Sequence, residues 1–169
     1  MPSRVRPGLG ELLRYLSELV EQGAESHYRA LELNYRARYT PVLRAIAAGA
    51  ESVTDITART HLTQGAVSQS LTLMTADGIV ARHSLEDARK SGFHLTREGR
   101  KLLTVLQPQW RISFAAIEAL EKEIGHPLLR ILEDTARALE RQDFATRLEA
   151  ARAGRASAKP NTPEPTHVD

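Results

Sequence analysis

The 169-residue chain is 41% hydrophobic and 26% charged, a globular balance with length enough for one domain and a core. It has no cysteine, which excludes a disulfide framework, a thiolate metal site, a cysteine nucleophile and a thiol redox switch. The net charge of +2 is too small to be a nucleic-acid footprint by itself, no apolar run reaches membrane-span length, and the opening "MPSRVRPGLGELLRYL" lacks the apolar core of a signal peptide, so a soluble cytoplasmic protein is expected.

Residues 1–10, punctuated by proline and glycine, read as a flexible arm. From Glu11, "ELLRYLSELV" sets Leu12, Leu16, Leu19 and Val20 at helical spacing, and a second helical stretch is expected through "HYRALELNYRARY". "TPVLRAIAAG" follows as a third, with Thr40 at the cap, Pro41 at the first helical position and Gly49 at the stop. Ser52 then opens a short helix with Asp55 three residues on, a capping box in which Asp replaces Glu, and Thr63 caps "QGAVSQSLTLMTADG". Two short helices and a tight turn predict a helix-turn-helix, with Val67, Leu71 and Met74 inward and Gln64, Gly65, Ser68, Gln69 and Thr72 outward.

"IVARHS" and "SGFHL" read as two strands around a charged loop, and Thr96 starts a long helix. Pro108 is expected to kink or interrupt it, Gly125 and Pro127 mark a bend, and "HPLLRILEDTARALERQDFATRLEAARAG" continues in helical periodicity. Residues 154–169, with three prolines and few apolar residues, are expected to be disordered. The fold class is mainly α with a β-hairpin wing. Its expected parts are N-terminal dimerisation helices (11–39), a winged helix-turn-helix lobe (40–103) and C-terminal dimerisation helices (104–153).

In this element order the second helix of the pair enters a DNA major groove and the hairpin lies on the backbone or in the minor groove. Glutamine can bond adenine N6 and N7, and serine or threonine can serve phosphates or base edges. Arg82, Arg89, Lys90, Arg97, Arg100 and Lys101 against Glu86, Asp87 and Glu98 give the wing segment a net +3, more than the whole chain carries. Such a local cationic surface is what counterion release from phosphate needs.

The stretch from His61 to Leu103 resembles the core of MarR-family transcriptional regulators, whose wing pattern is Asp-x-Arg followed by Leu-Thr-x-x-Gly. Here these are Asp87-Ala88-Arg89 and Leu95-Thr96-Arg97-Glu98-Gly99. The resemblance implies a homodimer with intertwined terminal helices on a palindromic double-stranded operator, often released by a small-molecule effector. It also implies that Asp87 orients the wing arginine and that Arg89 reaches the minor groove. Ser52, Thr63, Gln64, Gly65, Ser68, Gln69, Thr72, Arg82, Asp87, Arg89, Lys90 and Ser91 are the expected DNA-contacting residues. Two departures stand out: Ala88 replaces a second wing arginine, and Gln69 stands where a basic residue is common. The C-terminal region also resembles the segment preceding an acetyltransferase domain in some relatives; a stand-alone regulator is expected, with an acetyltransferase partner as the alternative.

Tyr15, His27, Tyr28, Tyr35, Arg36 and Tyr39 form the main polar-aromatic concentration, either an effector site for a phenolic or carboxylate ligand or core residues with satisfied hydroxyls. The six histidines show no short metal-ligand spacing; His83 and His94 can face each other across the hairpin, where phosphate neighbours or plain surface residues are expected. No metal or cofactor is expected. Nucleophile-elbow, phosphate-loop and HExxH motifs are missing, which argues against an enzyme. The rival reading is a dimeric helical interaction module, which has no need of a basic wing.

Overall fold

The computed structural model describes residues 5–84 and 91–157. In chain order these form α1 (Leu9–Ala30), α2 (Thr40–Ala47), α3 (Val53–Ala58), α4 (Gln64–Ala76), β1 (Val80–Ser84), β2 (Ser91–Leu95), α5 (Arg97–Ile124), α6 (Leu128–Arg141) and α7 (Phe144–Ser157), with a 3-10 turn at Ala37–Tyr39 leading into α2. The expected class is present: a mainly helical chain, a two-stranded antiparallel hairpin behind a helix-turn-helix, and long terminal helices. Residues 1–110 and 111–169 make two units. No described helix is long and apolar enough to cross a membrane.

The core lies entirely in the first unit. Tyr39, Leu43, Ile56, Val67, Leu71, Met74, Val80 and Leu106 are fully buried, so α2, α3, α4, the hairpin and the first turns of α5 share one apolar interior. Both helices of the helix-turn-helix start as their sequences dictate. The Ser52 hydroxyl accepts the Asp55 amide at 3.1 Å while the Asp55 carboxylate accepts the Glu51 amide at 3.3 Å, and Thr63 Oγ1 accepts the Ala66 amide at 3.2 Å. Helix α4 ends at Gly78, whose φ of +71° suits glycine, with the Ile79 amide returning to the Met74 carbonyl at 2.9 Å.

The hairpin pairs Val80 with Leu95, Arg82 with Phe93 and Ser84 with Ser91. The other edge of β2 is also held: Ser52 bridges Gly92, and the Phe93 amide donates to the Glu51 carbonyl at 2.8 Å. Thr96 joins hairpin to helix, its hydroxyl accepting the Gly99 amide at 2.9 Å and donating to the Gly78 carbonyl at 2.6 Å. A Cβ on Gly99 would collide with the Ile79 carbonyl. The Leu-Thr-x-x-Gly pattern thus has a local physical reason, a capping threonine and a glycine admitting the neighbouring backbone.

Several expectations are corrected. Residues 27–39 are not a helix of their own: His27–Ala30 finish α1, Glu32 takes a left-handed φ of +55°, and the Leu33 amide returns to the Tyr28 carbonyl at 3.0 Å. Tyr28, Tyr35 and Tyr39 would also share a face in a continuous helix, so their spacing could not reveal the turn. Of the kink or interruption expected at Pro108, the interruption is not found: helix α5 runs through it. The proline forfeits one amide bond, to Thr104, while Leu102, Leu103, Leu106 and Trp110 hold that stretch on the core. The C-terminal stretch breaks at extended Gln142, where Asp143 accepts the Thr146 amide at 2.8 Å and starts α7. Helix α7 continues to Ser157, so residues 154–157 are helical; residues 158–169 lie outside the described residues. Helix α1 begins at Leu9, inside the expected arm.

Candidate nucleic-acid interface

Helix α4 divides by its burial. Val67, Ser70, Leu71 and Met74 face the core, while Gln64, Gly65, Ser68, Gln69 and Thr72 are all exposed. An α-helix repeats its faces every three to four residues, so fixing the apolar set fixes the outward set as one stripe along α4. The Thr72 hydroxyl donates to the Ser68 carbonyl at 3.0 Å. Gly65 has no steric need to be glycine, since beyond its chain neighbours and its own helix backbone an added Cβ would meet only Thr63 Oγ1, at 4.0 Å. In the first turn of an exposed helix, a residue without a side chain leaves the backbone open to close approach.

Two expected contact residues have structural tasks. Ser52 is half-buried and its hydroxyl caps α3, whereas Thr63 is exposed with its hydroxyl capping α4. Arg82 is exposed on β1 opposite Phe93, and Ser91 opens β2. Asp87, Arg89 and Lys90 lie outside the described residues. Around the hairpin base, Arg100 Nη1 donates to the Leu95 carbonyl at 2.7 Å, and Lys101 pairs with Glu98 at 2.9 Å in an exposed ion pair.

Residues 34–90 match the MarR family model. Over this stretch the winged helix is similar to those of the MarR family. The match reaches upstream of the helix-turn-helix to include the buried tyrosines 35 and 39, and stops before Leu95-Thr96. No curated protein matches the sequence. Among solved structures, the Mycobacterium tuberculosis transcriptional regulator MOSR in complex with DNA superposes with a TM-score of 0.66 at 21% identity, over 79% of this chain and 97% of that one. The Staphylococcus aureus MepR–DNA complex gives 0.61 at 18% identity over 79% and 100% of the two chains. Bordetella bronchiseptica BpsR, whose DNA binding is regulated by 6-hydroxynicotinic acid, gives 0.58 at 21% identity over 84% and 99%. These likenesses show the winged-helix fold.

The tyrosine-rich set is only partly brought together. Tyr28, Tyr35 and Tyr39 stack edge to face in the core, with centroids 5.0 and 6.0 Å apart. The Tyr35 hydroxyl shares a hydrogen bond with Thr40 Oγ1 at 2.9 Å, and the Tyr39 hydroxyl donates to Asp77 Oδ2 at 2.8 Å. Burial pushes the Tyr35 phenol well above the ordinary tyrosine range and also raises that of Tyr39. His27 Nε2 lies 3.0 Å from Gln109 Oε1. Tyr15 and Arg36 are exposed, and Arg36 lines an open cleft with Glu21, Glu25, Arg29 and Arg38 rather than joining the tyrosine stack. Asp77 is what the sequence reading missed: an acid at the C-terminal end of α4, where the helix dipole disfavours it, yet tied to the deepest tyrosine.

Proposed function

We propose that the protein is a dimeric, sequence-specific regulator of transcription that reads a palindromic duplex with α4 in the major groove. The observation that carries this is the exposed Gln64, Gly65, Ser68, Gln69 and Thr72 stripe, set on a helix whose opposite face is locked into the core. The MOSR and MepR structures, which share the fold, are complexes with DNA. By the resemblance, Asp87, Arg89, Lys90 and Ser91 form the wing's contact to backbone and minor groove, with Arg82 adding charge at its base; Ser52 and Thr63 contact phosphate through the turns they cap.

A second copy is supported by what the chain leaves uncovered. In the first unit, Leu9, Leu12, Leu13, Leu16, Leu19 and Val20 line α1 in the solvent. In the second unit none of the described residues is buried, and Ile124, Leu129, Ile131 and Leu132 are exposed. Amphipathic helices with no core of their own need a partner to cover them. A repressor role with release by a small phenolic or carboxylate effector completes the reading, the effector preferring a dimer whose recognition helices are wrongly spaced. The mixed-charge cleft beside Arg36 is the more open of the two places where the expected effector residues fall.

Selection of genomic fragments with purified protein tests the proposal. It predicts enrichment of an inverted-repeat site, and Arg89→Ala should lower affinity for that site with little change in melting temperature. Enrichment of no common sequence would favour the interaction-module reading.

A further inference from the structure

The hairpin places together two histidines that the proposed set of DNA-contacting residues does not include. His83 on β1 and His94 on β2 sit diagonally across the ladder, with Nδ1 atoms 3.1 Å apart and ring centroids 5.1 Å apart, tilted by 55°. The residue opposite His83 is Gly92 and the one opposite His94 is Ala81, so neither imidazole faces a bulky cross-strand neighbour. Val80, Phe93 and Leu95, which alternate with them along the strands, pack into or against the core, so the pair lies on the opposite face, with His94 exposed and His83 half-buried. Strand β2 is fixed on both edges, by β1 and by Glu51–Ser52, which gives His94 a rigid base.

We propose that His83 and His94 form a chelating site for an imidazole-preferring divalent transition-metal ion on the solvent face of the wing base. Two nitrogen ligands about 2.0–2.1 Å from one ion, subtending about 90–110°, lie about 2.8–3.4 Å apart. The observed 3.1 Å falls within that bite. No cluster of three histidine, cysteine or carboxylate ligands exists among the described residues, so the two imidazoles are the ligands those residues supply. Affinity should follow the imidazole order, with Cu2+ and Ni2+ at or above Zn2+. The site does not depend on how the protein reads DNA.

The competing explanation is a single proton shared between the rings, which needs no ion. Zn2+ and Ni2+ titrations of the full chain against a chromophoric chelator separate the two. Chelation predicts one ion per chain at this site and an affinity lowered about tenfold or more in both His83→Ala and His94→Ala, with His61→Ala unchanged. In the unsubstituted protein, sub-stoichiometric Cu2+ should broaden the imidazole resonances of His83 and His94 before those of His27, His61, His126 and His167. This second readout stands even if an alanine variant misfolds. Equal affinity in folded variants, or earlier broadening at any other histidine, overturns the proposal.

Discussion

At the scale of single residues, the buried tyrosines make the clearest pH prediction. Burial raises the Tyr35 and Tyr39 phenols in the folded chain, so their neutral forms are favoured there. Their contribution is complete below about pH 10, where unfolded tyrosines are still protonated, and is lost as pH rises toward the raised native values. Thermal melts should therefore fall steeply above about pH 10, and less steeply in Tyr35→Phe. Tyr39→Phe removes the donor to Asp77 and should cost about 0.5–1.5 kcal/mol in denaturant unfolding. Gly65→Ala should separate folding from function. With room for the methyl, it should stabilise α4 by up to about 1 kcal/mol while weakening operator binding. Tighter binding in that variant would remove the close approach from the account.

At the scale of elements, the caps and the buried stripe of α4 were legible because each rests on a few neighbouring residues. Ser52, Thr63 and Thr96 accept the amides their positions predict, and Val67, Leu71 and Met74 are buried. The misread elements depend on contacts distant in sequence. The turn after α1 follows from Tyr28, Tyr35 and Tyr39 packing on one another and from Glu25 accepting the Ala37 amide at 2.7 Å, neither of which periodicity reveals. Continuity through Pro108 follows from core packing around it, and the Ser52–Gly92 bridge pairs residues forty positions apart. The break before α7 was readable in part, since Asp143 is a good cap, but the apolar spacing continued across it. Within the candidate interface, the outward stripe was legible, whereas the Tyr39–Asp77 tie was not. Gln64→Ala and Gln69→Ala should each cost about 1–3 kcal/mol at particular base pairs if bidentate to adenine. A loss uniform over all sequences would reassign that glutamine to phosphate.

At the scale of the whole molecule, the division of burial governs the account. The first unit has the core and α4, while the second offers amphipathic helices with no buried residue among those described. Each arrangement is incomplete as a monomer in water. Equilibrium sedimentation should find a dimer, and Leu16→Glu with Ile131→Glu should weaken it and operator binding together, because one winged helix engages only half a palindrome. A stable monomer with undiminished operator affinity would contradict the dimeric reading.

The central claim is that α4 reads sequence while the basic hairpin supplies charge. It is tested most directly by titrating the selected inverted-repeat duplex and a scrambled duplex of equal length across a series of salt concentrations. The account predicts two chains per duplex, a steep fall of both affinities with salt, and a preference of about a thousandfold or more for the selected site at physiological salt. Equal affinity for both duplexes at every salt concentration would contradict it, leaving a basic hairpin without a reading helix.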